Sequence, residues 1–144
     1  VKPVARELTR SFLEGEVDEV RVVFSGAGAS AISSARHFQR LGVRHENMMM
    51  VDSKGVIYKG RTEGMNQFKE EWAVETDART LDDAMKGADV FVGLSVAGMV
   101  TKEMVRSMSD DPIIFGLANP VPEIWPWEAE AAGLTVKSID DAAE

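Results

Sequence analysis

Four short apolar runs, each separated from the next by a helix-like stretch, limit this chain to very few folds. They are Val20–Phe24, Asn47–Val51 ("NMMMV"), Ala88–Gly93 ("ADVFVG") and Pro112–Ala118 ("PIIFGLA"). Each is apolar but for at most one residue near its start (Arg21, Asn47 or Asp89), and none alternates cleanly between apolar and polar. A strand with no polar face is buried on both sides, which requires layers above and below the sheet. The segments between them have helical spacing. Ala29–Leu41 ends at Gly42, and Leu81–Lys86 follows a Thr80/Asp83 pair spaced as a capping box and ends at Gly87. Lys102–Met108 follows Thr101, and a helix entered at Pro126 ends near Gly133. Val4–Leu13 and Asn66–Val74 also read as helices, Leu134–Lys137 as a short last strand, and "DSKGVIYKGR" as a turn, a short exposed strand and a second turn. The expectation is a three-layer, Rossmann-like α/β fold: an open, mainly parallel sheet with helices on both faces, formed by residues 1–144 as a single domain.

The 144 residues suffice for one core, with no linker or repeat to divide them. A net charge of −8 argues against nucleic acid and anionic membranes as partners, since both select basic surfaces. The chain has no cysteine, which excludes disulfides and thiolate metal sites and fits a cytoplasmic location. A second copy of the chain is admitted as a partner.

The chemistry concentrates at the turn after the first strand. Gly26, Ala27, Gly28, Ala29, Ser30 and Ala31 fit G-x-G-x-x-G/A, with alanine in the third slot. Gly26 permits a sharp turn off the strand. Gly28 has no Cβ, so a pyrophosphate can approach the backbone, and Ala31 lets the helix pack closely on the strand. The helix start adds free N–H groups and the positive end of its dipole. The motif alone also marks plain tight turns, but here a strand precedes it, a helix follows, and Asp52 ends the next strand. Asp52 could accept hydrogen bonds from both adenosine ribose hydroxyls and would disfavour a 2′-phosphate, which favours NAD slightly, whereas Lys54 could pair with the 2′-phosphate of NADP. The plainer alternative is a structural turn with a capping aspartate. Two further strand ends, "GLSVAG" and "LANPVPE", supply a close-approach loop with Ser95 and an amide at Asn119.

"VVFSGAGASAI", "VDSKGVIYKGR", "ADVFVGLSVAG", "VTKEMV" and "PIIFGLANPVPEI" together resemble the NAD(P)-binding domain of malic enzymes, especially the bacterial type, over about Val22–Gly133. That family oxidises malate with NAD(P) and decarboxylates the product to pyruvate with a divalent metal. The resemblance implies that Gly26, Gly28 and Ala31 hold the dinucleotide phosphates. It places Asp52, Ser53 and Lys54 at the adenosine ribose, and Ser95, Val96, Ala97 and Gly98 at the nicotinamide ribose. Asn119 would face nicotinamide and malate. The family's catalytic lysine and tyrosine and its metal carboxylates have no matched position here. The expectation is therefore a fragment or chimera that binds cofactor without appreciable turnover. The alternative is a Rossmann-like scaffold or interaction module without catalysis, or a domain of another dehydrogenase of the same fold.

His37 and His45 lack metal-spaced partners, and Met48, Met49 and Met50 read as core. Trp72, Trp125 and Trp127 read as packing or partner contacts, and Asp110–Asp111 as a turn rather than a metal site.

Overall fold

The β-branched and methionine runs become strands because each has a covering layer to bury against on either side. In the computed structural model, which describes residues 19–118 and 121–133, they form β1 (Val22–Ser25), β2 (Met48–Asp52), β4 (Val90–Gly93) and β5 (Ile113–Gly116). A two-residue strand, β3 (Gly55–Val56), turns back from β2. The sheet order is β3-β2-β1-β4-β5, parallel throughout except for the antiparallel β2–β3 pair. The expected helices on Val4–Leu13 and the strand on Leu134–Lys137 lie outside the described residues.

Side chains alternate between two cores. Val22, Phe24, Met48, Met50, Val90 and Val92 pack with α1 (Ala29–Arg40) and α2 (Gln67–Trp72). Val23, Val51 and Phe91 point the other way, against α3 (Leu81–Met85), α4 (Lys102–Ser107) and α5 (Pro126–Ala131). The expected three layers are therefore present.

The helix starts follow the local chemistry read from the sequence. The Thr80 hydroxyl accepts from the Asp83 amide at 3.2 Å, while the Asp83 carboxylate takes the Thr80 amide, completing the capping box. Thr101 caps α4, and Asn66 caps α2 by accepting from the Phe68 and Lys69 amides. α1 ends where Gly42 turns the chain at φ 109°. Asp111 sits at φ 52° in the turn before β5.

Two expectations need correction. The strand after Lys54–Gly55 is buried rather than exposed, with Val56 and Ile57 almost inaccessible. The Val56 amide donates to the Arg79 carbonyl and the Ile57 amide to the Met50 carbonyl, so chain covers it from both sides. β5, read as buried, is only half-buried, because among the described residues it has a neighbour strand on one side alone.

Candidate functional site

β1 lies in the middle of the sheet. The chain leaves it toward β2 on one side and later returns to β4 on the other, so the carboxyl ends of β1 and β4 form a topological switch point, where open α/β sheets bind ligands. The last residues of β1, β4 and β5 are level, and β2 runs one residue further, to Asp52: Ser25 pairs with Val51 and with Gly93, and Gly93 pairs with Gly116. The following loops therefore emerge along one edge.

The glycine turn is built as the sequence reading expects. Gly26 has φ 128°, a conformation other residues rarely adopt, and its amide donates to the Val51 carbonyl. Gly28 is the N-cap of α1 and is exposed. A Cβ built on it would meet nothing within 4 Å. No side chain caps this helix end, and its first turn carries no acidic residue. Ala29 and Ser30 are exposed while Ala31 is buried against the sheet. The start of a twelve-residue helix is thus exposed and without a side-chain cap at the switch point, an arrangement that could hold a phosphate.

Asp52 ends β2 at the same edge, but its carboxylate is already engaged. Oδ1 accepts from the Lys54 amide at 2.9 Å. Oδ2 takes the Arg61 guanidinium at 2.6 Å and the Lys69 ammonium at 2.8 Å. Burial alone would raise the pKa of Asp52. The hydrogen bonds from Arg61, Lys69 and the Lys54 amide outweigh it and bring the pKa down to about 2. Arg61 is itself buried, and it also donates to the carbonyls of Glu63, Gly55 and Val56, stitching the hairpin shut. Ser53 and Lys54 are exposed, with Lys54 in a surface pair with Glu63 at 3.1 Å.

On the other side of the switch point, Ser95, Val96, Ala97 and Gly98 are all exposed in the loop after β4. The Gly98 amide donates to the Pro122 carbonyl, and the Val100 amide to the Glu123 carbonyl, which tie this loop to the one after β5. Asn119 lies outside the described residues. Its neighbour Ala118 donates its amide to the Glu123 carboxylate at 3.2 Å.

Sequence reasoning missed three residues here. Among the described residues the buried polar or charged side chains are Ser25, Arg61 and Glu123, and each sits under a different part of this edge. Glu123 fills the space a Cβ on Gly93 would need, which explains glycine at that strand end. Its signal was the polar residue in an otherwise apolar "PVPEI", a weak one without knowledge of what lies opposite.

His37 and His45 take no part in this edge. His45 instead stacks on Trp72 with ring centroids 5.1 Å apart. Trp72 is buried, and Trp125 and Trp127 stack at 4.7 Å with Trp127 largely exposed. Among the described residues no three acidic or histidine side chains gather closely enough to hold a metal ion. No described helix is long and apolar enough to cross a membrane.

The family described as "Malic enzyme, NAD binding domain" matches residues 8–140. The chain belongs to this family. The malic enzyme NAD-binding domain is 56% identical over 108 residues to an NADP-dependent malic enzyme of Rhizobium meliloti, covering 75% of this chain and 14% of that protein. It is 44% identical over 117 residues to an NAD-dependent malic enzyme of the same organism, covering 81% of this chain and 15% of that one. A solved structure of an NAD-dependent malic enzyme from Thermotoga maritima superposes with a TM-score of 0.77 at 34% identity, covering 89% of this chain and 35% of that chain. The chain thus spans a seventh to a third of these relatives, and the domain carries the Rossmann-type part of the malic enzyme fold.

Proposed function

We propose that this malic enzyme domain binds a nicotinamide dinucleotide across its switch point. The pyrophosphate sits on the Gly26–Ala31 turn, the adenosine half lies toward Asp52, Ser53 and Lys54, and the nicotinamide half toward Ser95–Gly98 and Asn119. The exposed, uncapped N-terminus at Gly28 carries this reading, because no described side chain caps its amides and a dianionic diphosphate would.

The surroundings of Asp52 favour NADP over NAD. A ribose diol needs a carboxylate with free acceptor capacity, and this one already accepts from three donors. The charges also count. Asp52 is outnumbered by Arg61 and Lys69, and Lys54 is held only by an exposed pair that is worth little. A 2′-phosphate therefore meets excess positive charge where a bare aspartate would repel it. The slight preference for NAD read from the sequence rested on an unpaired Asp52.

In the whole enzyme the domain would present the dinucleotide to malate for hydride transfer, and a divalent metal held elsewhere would polarise the substrate for decarboxylation. This chain alone would bind without turnover. Calorimetric titration with NADP, NAD and ADP-ribose tests the reading. The expected result is NADP binding about tenfold more tightly than NAD, the worth of one charge-assisted hydrogen bond, weakened by salt. No binding of any of the three would end the dinucleotide assignment.

A further inference from the structure

Ser25 is the last residue of β1, fully buried, directly behind the glycine turn and beside the β4 strand end. Its hydroxyl lies 2.8 Å from the thioether sulfur of Met99 and 2.7 Å from the hydroxyl of Ser95. Sulfur can only accept, and so close an approach requires a proton between the two atoms. Ser25 has one proton and gives it to Met99. The Ser95 hydroxyl also lies 3.5 Å from the same sulfur, but only the order Ser95 to Ser25 to Met99 puts a proton in both of the short contacts, so the 2.7 Å contact uses the Ser95 proton. Ser95 is exposed in the loop beyond β4, on the side of the switch point opposite Asp52. With its proton turned inward, its oxygen faces outward with lone pairs only.

We propose that Ser25 is a positioning residue that acts through Ser95. The chain Ser95→Ser25→Met99 pins the loop after β4 to the end of β1 and fixes Ser95 as a hydrogen-bond acceptor. The group it accepts from is a hydroxyl of the nicotinamide-side ribose. The phosphates at Gly28 and the adenosine half toward β2 leave the β4 side for that half of the ligand. The assignment rests on the dinucleotide reading above and deepens it. It also explains why a polar side chain ends an otherwise apolar strand, and why a methionine follows Gly98: a less polarisable aliphatic side chain would leave the buried Ser25 proton unsatisfied.

The test compares two ligands on the intact chain. NADPH reaches both halves of the site, whereas adenosine 2′,5′-bisphosphate reaches only the adenosine half. Ser25→Ala, Met99→Leu and the exposed, fold-neutral Ser95→Ala are each expected to weaken NADPH about fivefold, the worth of one neutral hydrogen bond. Each should also blunt the nicotinamide fluorescence change, while the bisphosphate stays within twofold of wild type. Ser95→Thr, which keeps the hydroxyl, should restore NADPH affinity. Ser25→Ala combined with Met99→Leu should be no worse than either alone, as members of one relay are not additive. Equal weakening of both ligands, or no weakening of NADPH by Ser95→Ala, overturns the relay while leaving the dinucleotide reading intact. A wild-type chain that binds neither ligand removes both.

Discussion

The two flanks of the switch point are held by different forces. On the β2 side a buried guanidinium, an ammonium and a backbone amide converge on one carboxylate, and Arg61 also donates to two carbonyls of the hairpin and to that of Glu63 beyond it. On the β4 side two hydroxyls, a thioether and two loop-to-loop amide bonds do the holding, and Ser95–Gly98 are all exposed. The first flank is set before any ligand arrives. The second has fewer and weaker ties, and its position is the more easily shifted. Under the function proposed above, the adenosine half would take the rigid seat and the reacting half the one that shifts more easily.

The most severe way to break this contrast is Arg61→Ala. It leaves the Asp52 carboxylate short of its closest cation and the Gly55 and Val56 carbonyls short of a donor inside the hairpin. The ion pair itself need not be stabilising, but removal of one partner from a buried pair costs about 3–5 kcal/mol. Thermal unfolding should fall by roughly 10 °C at this size, by the usual entropy of unfolding. Ser95→Ala, the matching lesion on the other flank, should leave the transition within about 2 °C of wild type, as exposed substitutions do. Equal shifts would erase the distinction between the flanks.

Gly28→Leu tests the point between the flanks. Gly28 has φ −88°, which any residue adopts, and nothing within 4 Å of its missing Cβ. The free protein should therefore keep its stability, and circular dichroism melting should show it. Dinucleotide affinity should drop at least about a hundredfold, because the side chain fills the phosphate seat. A variant that still binds would move the ligand off this turn altogether.

How far the sequence spoke also differs between the flanks and the fold. β1, β2 and β4 were legible because burial on both faces leaves an apolar run, and two helix starts because Thr80 and Thr101 cap them by contacts three residues long. Gly26 and Gly28 were legible for the same reason: the turn's demands are local. Asp52 was located correctly, yet its state was not, since its cations come from nine and seventeen residues away and meet it only after the hairpin and α2 have formed. Ser25 finds its partners seventy and seventy-four residues on, and Glu123 is buried because Gly93 and Gly116 lie opposite. Local chemistry is written in sequence, whereas the charge balance of a site depends on which distant loops the topology brings to one edge.

Lys69→Ala sharpens the comparison within the adenosine flank alone. Lys69 also donates to the Gly64 carbonyl, so some loss of order in that loop is expected. The main effect should be selectivity. NADP should weaken about tenfold and NAD by less than threefold, because only the former carries the extra charge that a cation recognises. Equal losses would mean that Lys69 serves the loop and not the ligand.

The smallest expected effect reads the same cluster through acid. Asp52 in the folded chain titrates at about 2, below the ordinary value of 3.8. A carboxylate with a depressed folded pKa stabilises the fold above its unfolded pKa and loses that contribution as pH falls through the folded value. Wild type should therefore exceed Asp52→Asn in stability by a constant margin from pH 7 down to about pH 5. The margin should then shrink by on the order of 1–2 kcal/mol between pH 4 and pH 2, allowing for solvent screening of a carboxylate at the edge of the sheet. Asp83 is also held below the usual range, chiefly by the Arg79 and Thr80 amides, and contributes to the acid slope of both proteins alike. The difference between them isolates Asp52. Urea unfolding of the pair at stepped pH measures it, and a margin that stays flat to pH 2 would mean that the cations around Asp52 are bound too loosely to favour NADP in the way argued above.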